Sequence, residues 1–419
     1  MEEIDVAILG AGIAGLGAAL KAKEANRAAV IFEARKSAGG LLDNFEIDGF
    51  LFDQAVHLSF ASEAKVRSIF DKCSYLTHPA ESKCFEKGNW LRHPVQNNLY
   101  PLSTEEKVDL IESFVLRPNL TQNNYENWLL HQYGEEIAVR FPIKYTKKYW
   151  CTDPINLSTT WIGERMRRAE IKEILLGAFT EDTPNTYYTK EMRYPVEGGY
   201  KSFIKPLITS SEIQLDSKVT RINIEDKTIE INGNQKIKYS TLVSTLPLPV
   251  IIPLIQNAPA VIANLAKKLI ATSIDLISIG VKKKIETDIW IYLYDDDILA
   301  RRMYSPTAKS ALNAPEGCAS FQFEIYSRGI TSVYAVNELK ENCTYALKKM
   351  GICNEEEIIF IDHKRVNYGN VIFELGMESD RDKILQYLKS VDVQSKGRFG
   401  EWDYLWSNQS FMSGYSVEL

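Results

Sequence analysis

Three glycines and one glutamate near the start of the chain carry the first chemical signal. Gly10, Gly12 and Gly15 stand in a G-x-G-x-x-G spacing within residues 4–15. Such a spacing gives a tight turn at the first glycine and close backbone approach to a pyrophosphate at the second. The third allows close helix–strand packing, while the helix N-terminus offers free N–H groups to phosphate. Glu33 follows at the distance where a carboxylate bonds ribose hydroxyls. The chemistry implied is dinucleotide binding.

The elements that must position these residues are legible beside them. Val6, Ile8 and Leu9 supply a buried strand before the glycines, and Ala18, Ala19, Leu20 and Ala22 continue a helix after them. Residues 28–32 read as a second strand ending at Glu33. A glycine-rich turn in a βαβ unit without a ligand is the alternative reading.

Downstream lie Gly39 and Gly40, then Phe52, Asp53, Gln54, Ala55, Val56 and His57. This succession resembles the flavoprotein superfamily of amine oxidases, protoporphyrinogen oxidase and UDP-galactopyranose mutase. Its members follow the ribose-binding Glu with a Gly-Gly pair and a Phe-Asp-x-Gly-x-His segment; here Ala55 replaces the glycine. The resemblance implies FAD as cofactor, with Ile13, Ala14, Ala34, Arg35, Gly39, Gly40 and Leu41 around it and His57 near the isoalloxazine.

Composition sets the outer bounds. A chain of 419 residues suggests two lobes around a shared cleft. Hydrophobic residues at 45% and charged residues at 25% are those of an ordinary soluble globular protein. A net charge of −6 gives no global attraction for nucleic acid, although a local basic patch can bind an anionic substrate. No signal peptide and no bilayer-spanning run is read, so the expectation is a cytoplasmic protein without an integral membrane segment. The six scattered cysteines are expected to be reduced thiols, and no metal-ligand spacing is present, so no metal is expected.

The middle of the chain supplies the candidate substrate lobe. A short helix is expected from Glu63 to Asp71, and helical periodicity marks residues 104–116 and 125–140. Residues 85–101, rich in aromatics and proline, either line a cleft or cover a sheet. Residues 145–157 resemble the mutase segment Tyr-Thr-x-Lys-x-Trp-Gly-Thr-Asp-Pro-x-x-Leu, and Trp150 falls within it. Arg165, Arg167 and Arg168 follow. They either bind phosphate through paired N–H donors or form a solvated helix face paired with Glu164 and Glu170. The resemblance places an arginine near Arg168 on a substrate diphosphate. Tyr187 and Tyr188 either offer hydroxyls to a substrate phosphate or pack at a rim.

Tyr194 to Tyr200 resembles the Pro-x-Gly-Gly turn that returns the chain to the flavin, with a helix expected from Lys201. Short strands are read at residues 213–215, 219–224, 228–231, 236–238 and 241–247, with a hairpin turn at Asn232-Gly233. By resemblance the Val219 position contacts the adenine. Alternation at residues 274–281, 289–294 and 319–326 predicts an antiparallel sheet under the cavity. Mutases carry Thr-Arg before that last strand; Cys318 and Ala319 stand here, and Arg301, Arg302 and Arg328 are candidate substitutes. Residues 396–414 resemble the closing flavin motif, implying contacts from Gly397, Arg398, Ser407 and Phe411, with Asn408 where most relatives have Asp. A helix from Ser407 would aim its amides at the flavin, and Tyr404 aligns with a mutase tyrosine that meets substrate phosphate.

The fold expected is α/β: a discontinuous, glutathione-reductase-like Rossmann domain for FAD, with a second lobe of helices and an antiparallel sheet. Residues 1–75, 195–250 and 365–419 form the first part, 76–194 and 251–364 the second. The function implied is that of a flavoenzyme like the mutase, in which flavin N5 reacts with a nucleotide sugar during carbohydrate or polysaccharide biosynthesis. The substrate-site candidates are then Trp150, Arg165, Arg168, Tyr188 and Tyr404. The alternative is a flavin oxidoreductase taking hydride from a small molecule, and a third reading is a flavin-binding scaffold without turnover. Oligomeric state is left open.

Overall fold

The computed structural model describes residues 2–163, 166, 168, 170–184 and 189–419. One sheet collects strands from three distant parts of the chain. Its order is Val219–Asn223, Thr228–Ile231, Gln235–Ser244, Glu2–Leu9, Ala29–Phe32 and Glu212–Gln214, with Val393–Ser395 also paired to Gln235–Ser244. Glu2–Leu9 runs parallel to both neighbours. Its second half, Val6 to Leu9, is buried throughout, as a continuous apolar run in a sheet covered on both faces should be. Residues 236–238 and 241–244, read separately in the sequence, belong to the single strand Gln235–Ser244.

Helix Ile13–Glu24 packs on this sheet and against helix Ser407–Tyr415 from the other end of the chain. The crossing is backbone on backbone. A Cβ on Gly414 would fall 1.8 Å from the Ala14 carbonyl oxygen, and one on Gly15 would fall 2.0 Å from that of Gly10. These contacts require glycine. They lock the C-terminal helix directly onto the glycine turn.

A second sheet has the order Ile358–Val366, Thr272–Val281, Ala319–Arg328, Arg302–Tyr304, Trp290–Leu293, Lys83–Glu86 and Asn89–Arg92. It is antiparallel except where Trp290–Leu293 meets Lys83–Glu86. The segment read as cleft lining or sheet cover contributes to two of these strands, and its His93 to Asn97 stretch lines the cavity. Period-two alternation divides Ala319–Arg328 cleanly. Phe321, Phe323 and Ile325 join a core with Leu339, Cys343, Ala346 and Leu347 of helix Val336–Lys349. Glu324 and Tyr326 face the other way.

Helices Thr104–Val115, Tyr125–Tyr133, Lys144–Trp150 and Ile171–Phe179 build the rest of the second lobe. Thr104–Val115 begins with a capping box from Ser103 and Glu106. The helix expected over residues 125–140 breaks at Gly134, which has φ 76° and lies against the Ser113 carbonyl. The helix expected from Lys201 is a 3-10 turn, Tyr200–Ile204, followed by Lys205–Thr209. Strand Tyr75–Pro79 pairs antiparallel with Glu191–Pro195.

Candidate functional site

A cavity of about 1000 Å³ runs from the glycine turn to the helices of the second lobe. That volume lies at the upper end for ligand sites. At one end it is lined by Gly10, Gly12, Ile13 and Ala14. Helix Ile13–Glu24 has Gly12 as its N-cap and no side-chain cap, so its first-turn amides are not taken by a capping side chain. An anion is the natural complement to such a terminus. Glu33 is buried here: its Oε2 accepts the Ala11 N–H at 2.9 Å and its Oε1 the Arg35 N–H at 3.0 Å. Gly39 donates to the Ala11 carbonyl at 2.9 Å, which brings the Gly-Gly pair onto the same wall with Arg35 and Leu41. Backbone, glycine and one carboxylate make a cradle that fits a dinucleotide.

The C-terminal segment closes this end with Gly397, Arg398, Tyr404 and Ser407. Arg398 donates to the Leu405 carbonyl at 2.8 Å and to Asn370 Oδ1. Its Nε is buried without a protein partner among the described residues. Four sequence candidates are not among the described residues that line the cavity. Gly15 packs under Gly10, Phe411 is buried against Gly17, and Ala34 is exposed. Val219 sits in the outer part of the first sheet, two residues beyond Ser217, whose N–H donates to the Glu33 carbonyl at 2.8 Å.

The turn at residues 53–57 crosses the middle of the cavity and is pinned by two buried carboxylates. Asp53 accepts the Tyr200 N–H at 2.9 Å and the Tyr194 hydroxyl at 2.8 Å, and it pairs with the fully buried Lys309. Glu324 accepts the Val56 N–H at 2.8 Å. Between them Ala55 adopts φ 72°, the left-handed backbone that glycine favours. Alanine stands there without relieving the turn. Cys151 repeats the theme: it caps helix Lys144–Trp150 at φ 52°, where the mutase segment has glycine. His57 follows the turn and lines the cavity. Burial holds its imidazole down at about 4, so at neutral pH the ring is uncharged.

The far half of the cavity is tyrosine, tryptophan and arginine. The Arg301 guanidinium lies 3.9 Å from the Tyr149 ring centre and 4.2 Å from that of Tyr326. It donates to the Tyr145 hydroxyl at 2.5 Å and to Glu324 Oε2 at 2.9 Å. Arg302 donates to the same carboxylate oxygen at 2.5 Å. Burial alone would raise the Glu324 carboxyl; attraction to Arg302 and Arg301 more than reverses this and brings it down to about 2. Tyr149 bonds the Tyr404 hydroxyl and donates to Asn370 Oδ1 at 3.1 Å. Burial, reinforced by Tyr404, raises the Tyr149 phenol well above its ordinary value, so it stays a donor. Trp150 meets Tyr404 at a tilt, with ring centres 5.6 Å apart, and Trp161 edge-on at 5.1 Å. Such a wall can grip a planar ring and an anion together.

Arg301 and Arg302 line the cavity, whereas Arg328 is bound to Glu374 at 2.7 Å on the surface. Their place follows from strand register, since Arg302 pairs with Glu324 across the sheet. Sequence spacing holds no trace of that. Lys148, part of the mutase-like segment, is half-buried and donates to the Leu293, Asp295 and Ile298 carbonyls. Its role is to fasten the helix to the sheet. Arg168 lies near Arg117: burial first, and then the charge of Arg168, lowers the Arg117 guanidinium's proton affinity. Arg168 does not line the cavity among the described residues. Arg165 and Tyr188 lie outside the described residues.

Residues 8–73 match the family described as an NAD(P)-binding Rossmann-like domain. A solved structure of reduced UDP-galactopyranose mutase superposes with a TM-score of 0.91 at 24% identity, covering 98% of this chain and 92% of that one. The two chains share one fold. A protoporphyrinogen oxidase structure from Exiguobacterium sp. 255-15 matches with a TM-score of 0.73 at 14% identity over 99% and 97% of the two chains. A putrescine oxidase gives 0.66 at 13% identity, over 99% and 98%. Among curated relatives, protoporphyrinogen oxidase 2 of Arabidopsis thaliana is 28% identical over 294 residues, 58% of this chain. The mitochondrial protoporphyrinogen oxidase of Nicotiana tabacum is 32% identical over 108 residues, 26% of this chain. The chain spans 57% and 21% of those two proteins' lengths. Among the described residues, no helix is long and apolar enough to cross a membrane.

Proposed function

We propose that the chain is an FAD-dependent enzyme that acts on a nucleotide sugar, as the similar mutase's name suggests, in carbohydrate or polysaccharide biosynthesis. One observation carries this reading: a single cavity joins the glycine–Glu33 cradle to the Arg301–Tyr149–Tyr404 wall. Gly10, Gly12 and the first amides of helix Ile13–Glu24 hold the FAD diphosphate, Glu33 its ribose, and Arg398 and Ser407 its far half. FAD, when bound, supplies a redox-active ring whose N5 is the reactive group. Arg301 and Arg302 attract the substrate's diphosphate, Tyr145 donates to it, and Tyr149, Tyr404 and Trp150 back the pocket. Residues 1–75, 195–250 and 365–419 form the cofactor domain, and the enzyme works in the cytoplasm on a small molecule.

The deciding experiment reduces the purified protein with dithionite and offers UDP-sugars anaerobically. Product with the other sugar ring size, formed without flavin oxidation, supports the reading. No binding of any nucleotide sugar ends it. A second reading, a flavin oxidoreductase taking hydride from a small molecule, is favoured by Ala319, where the mutase pattern has arginine, and by the curated relatives. Substrate-dependent bleaching of the oxidised flavin would select it.

A further inference from the structure

Glu324 joins two walls of the cavity that are far apart in sequence. It is fully buried on strand Ala319–Arg328. Its Oε1 accepts the Val56 N–H at 2.8 Å and Arg302 Nη2 at 3.2 Å. Its Oε2 accepts Arg301 Nη2 at 2.9 Å, Arg302 Nε at 2.5 Å and the Tyr326 hydroxyl at 2.9 Å. One carboxylate thus anchors the backbone of the left-handed turn before His57 and holds both arginines. A single negative charge against two guanidiniums leaves the cluster with one net positive charge. In a cavity walled by buried side chains, such a charge acts over several ångströms.

We propose that Glu324 is a positioning residue that fixes the residual positive charge at Arg301 and Arg302 and the Ala55–His57 turn, and so sets how readily the bound flavin is reduced. This rests on the FAD reading above. Reduction places negative charge on the flavin, so more positive surroundings favour it and less positive surroundings oppose it. Removing the carboxylate charge and removing one guanidinium charge must act in opposite directions. A residue that merely kept the fold intact gives no such pairing of signs.

The test is the midpoint potential of the holoprotein at one pH, by equilibration with a reference dye. Glu324→Gln should raise it and Arg302→Gln should lower it. Each shift should be at least tenfold in the equilibrium between oxidised and reduced flavin, about 30 mV for a two-electron couple. The double variant should return to the native value within that margin. Shifts of the same sign, or none, in yellow protein overturn this proposal alone. Glu324→Gln strands the buried Arg301 and risks misfolding. Arg302 keeps 15% of its side chain exposed, so Arg302→Gln then decides by itself: a lowered potential supports the proposal, and a raised or unchanged one overturns it. Protein that never takes up FAD overturns both this and the flavin reading.

Discussion

The Arg301 guanidinium stacks 3.9 Å from the centre of the Tyr149 ring while one of its nitrogens donates to Glu324. Arginine is suited to this place because its planar fork bonds a carboxylate and stacks on an aromatic face at once. In the proposed function it is also the cation that meets the substrate's diphosphate. Arg301→Lys keeps the charge and loses both the fork and the stack. It should weaken UDP binding about tenfold or more, roughly 1.4 kcal/mol, with FAD retained. Arg168→Ala should weaken it less. Titration calorimetry giving the reverse order would move the anion site towards Arg168.

Ala55 holds φ 72° in a buried turn. A β-branched residue is strongly disfavoured there, so Ala55→Val should cost about 2 kcal/mol or more. Ala55→Gly should fold at least nearly as well as the native chain. Denaturant midpoints of the two variants check this, and a Val variant as stable as the native protein would contradict it.

Gly414 meets the Ala14 backbone so closely that a methyl group has no room. Gly414→Ala should push the C-terminal helix off the glycine turn, costing on the order of 1 to 3 kcal/mol. Because Ala14 also lines the cavity, the flavin-to-protein ratio after gel filtration should fall together with the melting temperature. A destabilised variant with undiminished flavin content would separate the helix crossing from the cofactor site.

Desolvation holds the half-buried His57 imidazole down at about 4, against an ordinary value of 6.5. Between those values the unfolded chain binds the proton and the folded chain does not. Stability therefore rises with pH across that window and is fully present above it. The shift corresponds to something on the order of 3 kcal/mol. His93, also half-buried and also held down at about 4 by desolvation, acts in the same sense. His57→Gln should flatten the dependence of the denaturation midpoint between pH 4 and 6.5 by its share. An unchanged slope would show that His57 titrates alike in both states.

Local pattern exposed the cofactor end of the molecule far better than the substrate end. Gly10, Gly12, Gly15 and Glu33 form a contiguous strand–turn–helix–strand unit, so their spacing alone places them. The closing residues Arg398 and Ser407 carried a motif and line the same cavity. The Glu324–Arg301–Arg302 cluster left no motif, because sheet register and the alternation of Ala319–Arg328 bring it together. Lys148 sits within a motif yet serves the fold, a difference that only its three carbonyl partners reveal. The break at Gly134 likewise comes from the approach of another helix, which 3.6-residue periodicity does not encode.

In the proposed function both chain ends clasp one flavin within the cavity that continues to Arg301. The most direct measurement of this is the visible absorption spectrum and FAD stoichiometry of the purified protein, before and after incubation with FAD. The protein should be yellow and hold about one FAD per chain. A protein that stays colourless after reconstitution would contradict it.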